Sequence, residues 1–134
     1  AEEDMLKESA KGFDNIIFIG HTNSPIDYLQ SADILISASL AEGLPNTVLE
    51  AMSCGLPCIL SNIGPHEEIV EGSEAGVIFD KNSVGELCSY INATSSWKLD
   101  EKSEKARSIA VEDFGIKSLA AKYESIYKKI TGLK

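Results

Sequence analysis

The chain alternates between strand and helix most clearly in ADILISASLAEGLPNTVLEAMSCGLPCILS, residues 32–61. The apolar run that follows Asp33 predicts a strand over residues 34–37. A helix is predicted over residues 45–54, because proline favours the first helical turn and Gly55 follows as a C-terminal cap. A second strand is predicted over residues 57–61, so this stretch is typical of a strand–helix–strand unit.

The same alternation extends to both sides of this unit. The run Ile16-Ile17-Phe18-Ile19, closed by Gly20, is continuously β-branched or aromatic, as strands buried on both faces of a parallel sheet are. Short helices are predicted over residues 25–32 and near 66–70, and a further strand over 76–79. Strands and helices in this order predict an α/β, Rossmann-like parallel sheet with helices on both faces.

After residue 82 the sequence predicts helices alone. Ser83 and Glu86 form a predicted capping box at the start of one helix, and a charged helix is predicted over about 100–111. Gly115 precedes a last helix whose apolar residues recur at helical spacing and are predicted to pack in the core. Those residues are Ile116, Leu119, Tyr123, Ile126, Tyr127 and Ile130. The chain is predicted to be a single partial domain, with an α/β core over 1–82 and a helical C-terminal part over 83–134.

Composition excludes several classes of partner. With 134 residues the chain has the size of one domain, and 43% hydrophobic residues suffice for a buried core. The net charge of −9 argues against nucleic-acid binding and against an anionic membrane surface, both of which require clustered Lys and Arg. No apolar run reaches the roughly 20 residues that span a bilayer. We therefore expect no nucleic-acid partner, no membrane segment in this chain and a cytoplasmic location.

The cysteines and histidines do not suggest a metal site. Cys54, Cys58 and Cys88 lie in apolar surroundings, which predicts buried, reduced thiols. They are not spaced as a CxxC pair and the chain has only two histidines, so no metal is expected. His66 is expected to decorate the start of a helix.

Two glutamates, Glu42 and Glu50, make the strongest case for a site. Ligands of open parallel sheets bind beyond the carboxyl ends of the strands, where the loop that carries Glu42 is predicted to lie. Glu50 is predicted in the second turn of the next helix, so both acids can face one crevice and accept hydrogen bonds from sugar or ribose hydroxyls. The start of that helix offers unpaired N–H groups to a phosphate. The alternative is that each acid only stabilises a helix dipole, by about 0.3–1 kcal/mol.

The frame around these acids resembles a known enzyme family. The pattern Ser39-x-x-Glu42-Gly43-x-Pro45, followed by Leu49-Glu50-Ala51-Met52-x-Cys54-Gly55-x-Pro57, is similar to the signature of retaining GT-B-fold glycosyltransferases of the family 4 type. Glu42 and Glu50 match the E-x7-E motif of that family. The resemblance covers about residues 15–79. It implies the C-terminal donor-binding domain of a hexosyltransferase-type enzyme that uses a nucleotide-diphosphate sugar and no further cofactor, with residues 1–82 as the nucleotide-sugar-binding core.

The resemblance also implies roles for individual residues. Glu42 is the expected catalytic residue, because it would hold a hydroxyl of the transferred sugar and favour positive charge at the anomeric carbon. Glu50 would bind the ribose hydroxyls. The remaining expected donor-binding residues would lie along the sugar, the phosphates and the base. They are Gly43, Leu44, Asn46, Thr47, Gly20 and His21.

The chain departs from the family pattern at its N-terminal end. Family members carry a strand, a helix and a second strand before the part that matches Asn15, and those elements bear the Arg and Lys that neutralise the donor pyrophosphate. Residues 1–11 predict only a helix, on which Lys7 and Lys11 lie one element too late. We therefore expect a fragment of a larger enzyme that lacks the N-terminal acceptor domain. The fragment is expected to be inactive alone, and the parent could meet the cytoplasmic face of a membrane through the absent domain.

Three functions are compatible with these residues. The first is transfer of a sugar, with retention, from a nucleotide-diphosphate sugar to a glycan or lipid-linked acceptor. The second is a nucleotide-sugar epimerase on the same scaffold, which would need catalytic acids from outside this chain. The third is a non-catalytic α/β nucleotide-binding module.

Overall fold

A computed structural model describes residues 2–132. Three strands lie among the described residues, β1 (Leu35–Ser37), β2 (Cys58–Ser61) and β3 (Gly76–Phe79). The helices are α1 (Glu2–Ser9), α2 (Pro25–Gln30), α3 (Asn46–Ser53), α4 (Gly64–Val70), α5 (Val84–Ala93), α6 (Leu99–Ser108) and α7 (Ile116–Thr131). A short 3-10 turn, Thr94–Ser96, follows α5, and a π-helical segment, Ile109–Asp113, extends α6.

The strands form a parallel sheet in the order β1-β2-β3. Leu35 lies opposite Cys58, and Cys58 lies opposite Gly76. Every residue of β2 is fully buried. Because successive side chains of a strand point to opposite faces, both faces of the sheet are covered at β2. The α/β, Rossmann-like fold is therefore confirmed, as are the helices that follow the last strand.

The core lies between β2 and the helices packed on it. Cys58 and Leu60 of β2 cluster with Val48 and Met52 of α3, and Ala106 of α6 closes the cluster. These five side chains are at most 2% exposed. At roughly 1.5–3 kcal/mol for each large apolar side chain removed from water, this cluster is what fixes α3 against the sheet.

The predicted strand over residues 16–19 is wrong. Residues 16–19 run without regular secondary structure, and Ile16, Ile17, Phe18 and Ile19 are all exposed. A strand gains its hydrogen bonds from a neighbouring strand, and no strand among residues 2–132 pairs with this run. The sequence has the strand-forming side chains but the described part of the chain offers no partner.

The apolar stripe of α7 also departs from the prediction. The helix forms over Ile116–Thr131, but none of its residues is buried. Ile116 is 85% exposed and Ile130 77% exposed. The helical spacing identifies an amphipathic face, and in this chain that face does not enter the core.

Two smaller predictions need correction. The capping box of α5 is half formed, because the Glu86 N–H donates to Ser83 Oγ while the Glu86 carboxylate accepts from the Asp80 N–H instead of the Ser83 N–H. Among the cysteines only Cys58 is buried, since Cys54 is half-buried and Cys88 is exposed, although all three are free thiols. Burial raises the pKa of the Cys58 thiol to about 12.

The prediction for His66 holds only in part, because the residue is in the first turn of α4 but its side chain is buried instead of exposed. His66 lies inside α4 and is completely buried. The side chain turns inward to Ser61, the last residue of β2.

No helix of the described residues is both long enough and apolar enough to cross a membrane.

Candidate functional site

Glu42 lies in the loop that leaves the carboxyl end of β1. Ser39 Oγ donates a 2.7 Å hydrogen bond to Glu42 Oε1, and Ser37 Oγ lies 3.3 Å from Ser39 Oγ. The carboxylate is therefore the end of a short chain of hydrogen-bonded serine hydroxyls. It lines a cavity of about 200 Å³, here called the first cavity. The residues of that cavity are Leu35, Ile36, Ser37, Ser39, Glu42, Pro45, Thr47 and Val48.

The helix that follows this loop starts without a side-chain cap. Pro45 is the N-cap residue of α3, so the helix begins at Asn46, one residue later than the sequence predicts. The Asn46 N–H donates to the Leu44 carbonyl at 2.9 Å, and no side chain in the described part of the chain caps this end. By contrast, Ser83 caps the start of α5. An uncapped helix start keeps backbone N–H groups available to an anion.

Glu50 lies one turn further along α3 and lines a second cavity of about 240 Å³. The second cavity is formed where α2 meets α3 and the segment after residue 18. Gly20, which lies on its wall, has a φ of +70°, a conformation that residues with a Cβ adopt rarely. The lining residues are Ile19, Gly20, Thr22, Pro25, Tyr28, Leu29, Thr47 and Glu50.

Thr47 belongs to both cavities. The two acids that sequence places in one crevice thus occupy two adjoining cavities, Glu42 in the first and Glu50 in the second. Thr47, in the first turn of α3, forms the wall between them. A ligand that reaches both acids would therefore lie against this threonine, beside the uncapped start of the helix.

The other predicted site residues are distributed around this arrangement. Gly43, Leu44 and Asn46 are exposed on the loop and helix start, outside the lining of either cavity. His21 is exposed and follows Gly20 without lining the second cavity. The structure therefore brings Glu42, Glu50, Thr47 and Gly20 to the cavities and leaves the others outside their lining.

The two cavities are negatively charged. Each is lined by one carboxylate and by no Lys or Arg. Lys7 of α1 and Lys11, which follows that helix, each pair with an acid of α1, Lys7 Nζ at 2.6 Å from Glu3 and Lys11 Nζ at 2.5 Å from Glu8. The hydrogen bond from Lys7 and its charge lower the pKa of Glu3.

The chemistry available at the cavities is that of hydrogen-bond acceptors. Over residues 2–132 no group of three or more His, Cys, Asp and Glu side chains is placed to hold a metal ion. Two carboxylates beside a helix start suit a ligand that carries hydroxyl groups at both ends and an anionic group between them.

Sequence reasoning missed several residues of the site. Tyr28 and Thr22 line the second cavity, but their loop and short helix meet α3 only in three dimensions. The buried group formed by His66 and Ser61 was also missed, because Ser61 contacts Ser39 across 22 positions of sequence. The one local signal is Ser39, three residues before the acid to which it donates.

Comparison with known proteins gives a consistent result. Residues 1–95 match the family model described as "Glycosyl transferases group 1". An uncharacterized glycosyltransferase of Haemophilus influenzae is 33% identical over 133 residues, which cover 93% of this chain and 37% of that protein. An Escherichia coli enzyme named UDP-Gal:alpha-D-GlcNAc-diphosphoundecaprenol alpha-1,3-galactosyltransferase is 32% identical, over 84% of this chain and 29% of the enzyme.

Among solved structures, the fold is similar to that of Anabaena HepE, crystallised in complex with UDP. The TM-score is 0.78 at 24% sequence identity, over 98% of this chain and 38% of that one. The chain therefore spans about three tenths to two fifths of the length of these relatives.

Proposed function

Because the chain belongs to the family of group 1 glycosyl transferases, we propose that it forms the donor-binding part of a hexosyltransferase. The parent enzyme transfers a sugar, with retention, from a nucleotide-diphosphate sugar to a glycan or lipid-linked acceptor. The observation that carries this proposal is the pair of adjoining cavities, each with one glutamate of the E-x7-E motif, on either side of Thr47.

Glu50 is the proposed ribose ligand. Its carboxylate lies in the second cavity beside Gly20 and Tyr28. A carboxylate accepts two hydrogen bonds side by side, as the adjacent 2′ and 3′ hydroxyls of a ribose require. The base would rest against the open backbone at Gly20, which lines the same cavity, and against the exposed His21 that follows it.

Glu42 is the proposed catalytic residue. The hydroxyl of Ser39 occupies one of its oxygens at 2.7 Å, which leaves the other oxygen for a hydroxyl of the transferred sugar. As the bond between the anomeric carbon and the leaving phosphate lengthens, positive charge develops on that carbon. A nearby carboxylate favours that charge more than it favours the neutral ground state.

The diphosphate would lie between the two acids, at the start of α3. The helix is uncapped there, and its first N–H groups and positive dipole end attract an anion. Thr47 and Asn46 offer side-chain donors in the same turn, while Gly43 and Leu44 offer backbone along the sugar.

The two cavities are lined by no cation, so the proposal needs an Arg and a Lys from elsewhere in the parent protein. The relatives are about two and a half to three times as long as the chain. We propose that their additional length corresponds to the pyrophosphate-binding cations and the acceptor domain. Residues 1–134 alone are then expected to bind donor weakly and to transfer no sugar.

The test is nucleotide binding by the full-length protein, measured by calorimetry with UDP as the first probe and GDP and ADP as alternatives. Glu50→Gln should weaken nucleotide binding by about tenfold, the loss of a charge-assisted hydrogen bond. Glu42→Gln should leave UDP affinity unchanged and lower turnover of the UDP-sugar. Glu124→Gln, an exposed acid of α7 paired with Lys128, is the matched control.

The outcomes distinguish the competing functions. Unchanged affinity in Glu50→Gln would remove the ribose assignment and favour a non-catalytic module. Interconversion of the donor sugar without any acceptor would identify an epimerase. Retention is checked by NMR of the product, whose anomeric configuration should match that of the donor.

A further inference from the structure

Behind the first cavity lies a buried histidine that the proposed mechanism does not use. His66 of α4 is completely buried, and its Nδ1 is 3.2 Å from Ser61 Oγ and 3.1 Å from the Ser61 carbonyl oxygen. The backbone carbonyl can only accept. Nδ1 therefore carries the ring hydrogen and donates to Ser61.

Ser61 connects His66 to the loop after β1. Its hydroxyl donates a 2.6 Å hydrogen bond to the Ser39 carbonyl. Because that single hydrogen is used, Ser61 Oγ can face His66 only as an acceptor, which agrees with a proton on Nδ1. The ladder between β1 and β2 ends where Ser37 lies opposite Leu60. The Ser61 hydroxyl thus continues the connection between the strands beyond the last ladder pair.

The last link leads from Ser39 to the acid. Ser39 receives the Ser61 hydrogen bond on its carbonyl and donates its own hydroxyl to Glu42 Oε1. Three hydrogen-bonded steps therefore connect a fully buried side chain in α4 to an exposed carboxylate in the first cavity.

The other ring nitrogen of His66 shows that this arrangement is not optimised for stability. Nε2 is buried and has no hydrogen-bond partner among the described residues. A buried polar atom without a partner destabilises the fold, and an apolar side chain of similar size would not. The interactions that His66 does make are on the Nδ1 side, where the ring binds Ser61.

We infer that His66 is a positioning residue, which fixes the Glu42 carboxylate through Ser61 and Ser39. The inference rests on the proposed function only in that Glu42 acts on a ligand. The hydrogen bonds from His66 to Glu42 do not depend on that function, and His66 does not need to touch a ligand.

Two amide substitutions separate the role of Nδ1 from that of Nε2. In His66→Asn the amide nitrogen occupies the place of Nδ1 and can still donate to Ser61. In His66→Gln the amide reaches the place of Nε2, and the donor to Ser61 is lost. Ser61→Ala removes the middle link. Ser73→Ala is the matched control, because its hydroxyl donates to Val70 at the other end of α4, away from the loop.

The readout is the backbone order of residues 39–42 in the full-length protein, measured by ¹⁵N relaxation. His66→Gln and Ser61→Ala should lower the order parameters from about 0.85 to about 0.6. His66→Asn and Ser73→Ala should leave them unchanged. Equal loosening in the Asn and Gln variants would overturn the inference, since His66 would then act through volume alone, and so would an ordered loop in Ser61→Ala.

Two further measurements complete the test. If the buried variants fail to fold, Ser39→Ala, at a half-buried position, tests the last link of the path. It should free the Glu42 side chain while the backbone of residues 39–42 stays ordered, and an unchanged side chain would overturn the inference. Donor affinity and turnover are recorded separately. A loosened loop with unchanged turnover would keep the positioning role and remove Glu42 from the proposed mechanism.

Discussion

Gly76→Ala tests how closely β2 and β3 approach each other. Gly76 begins β3 and pairs with Cys58 of β2. A Cβ placed at residue 76 would lie 2.6 Å from the Cys58 carbonyl oxygen and 3.3 Å from its carbonyl carbon. Both atoms belong to the backbone of a fully buried strand, so no side chain can rotate away to make room.

The expected magnitude follows from this clash. Real Cβ atoms essentially never approach a heavy atom within 3.0 Å, so the two strands must separate by about 0.4 Å or more where they pair. Forcing extra volume into a packed core costs about 1–3 kcal/mol. The free energy of unfolding of this sheet should fall by that amount, which corresponds to about five- to 140-fold in the population of the open state.

Hydrogen exchange of the β2 amides is the appropriate assay, because amides of a buried central strand report the opening of the whole unit. Their exchange should be faster in Gly76→Ala by the factor given above. Gly85→Ala is the control, since residue 85 lies in α5 with no atom within 4 Å of the added Cβ. Alanine there should slow exchange or leave it unchanged. Exchange within twofold of wild type in Gly76→Ala would refute the close approach.

Three further predictions concern the thiols and the site helix. Cys88 should react rapidly with a thiol reagent in the folded protein, whereas Cys58 should react only on unfolding. Because burial raises the pKa of Cys58 from 9.0 to about 12, the unfolded chain loses this proton first. The free energy of unfolding should therefore fall by about 1.4 kcal/mol per pH unit between pH 9 and 12, a slope that should disappear in Cys58→Ala. Arg107→Ala removes a 2.6 Å hydrogen bond to the Ser53 carbonyl at the end of α3. Chemical denaturation should show a loss of about 1 kcal/mol relative to Lys105→Ala on the same helix.

The strands that sequence predicted correctly are those whose partners lie in the same chain. The run over residues 57–61 became β2 because β1 and β3 flank it, and Gly76–Phe79 was predicted with the observed bounds. Residues 16–19 are at least as strand-like in composition but did not form a strand. Strand propensity describes how a side chain fits a pleated sheet, and it does not supply the second strand.

The α7 stripe was misjudged for a related reason. A helical period from Ile116 to Ile130 identifies which face of the helix is apolar, but it carries no information on what that face meets. Helix formation was therefore predictable and burial was not.

The candidate site, too, could be predicted from the sequence only in part. Glu42, Glu50 and the helix between them could be predicted, because the loop, the proline and the helix are contiguous in sequence. The wall at Thr47 and the path from His66 through Ser61 depend on how β1 and β2 lie side by side. Contacts between residues far apart in sequence leave no periodic or spacing signal, so only the folded chain displays them.

The uncovered run Ile16–Ile19 has a practical consequence for anyone who handles this chain in isolation. Exposed, β-branched or aromatic, and free of proline and glycine, it has the composition of segments that recruit further strands and nucleate cross-β aggregates. Concentrated preparations of the 134-residue chain should therefore precipitate through this segment. A gatekeeper charge such as Ile17→Lys, at a position 77% exposed, would raise solubility without disturbing either cavity.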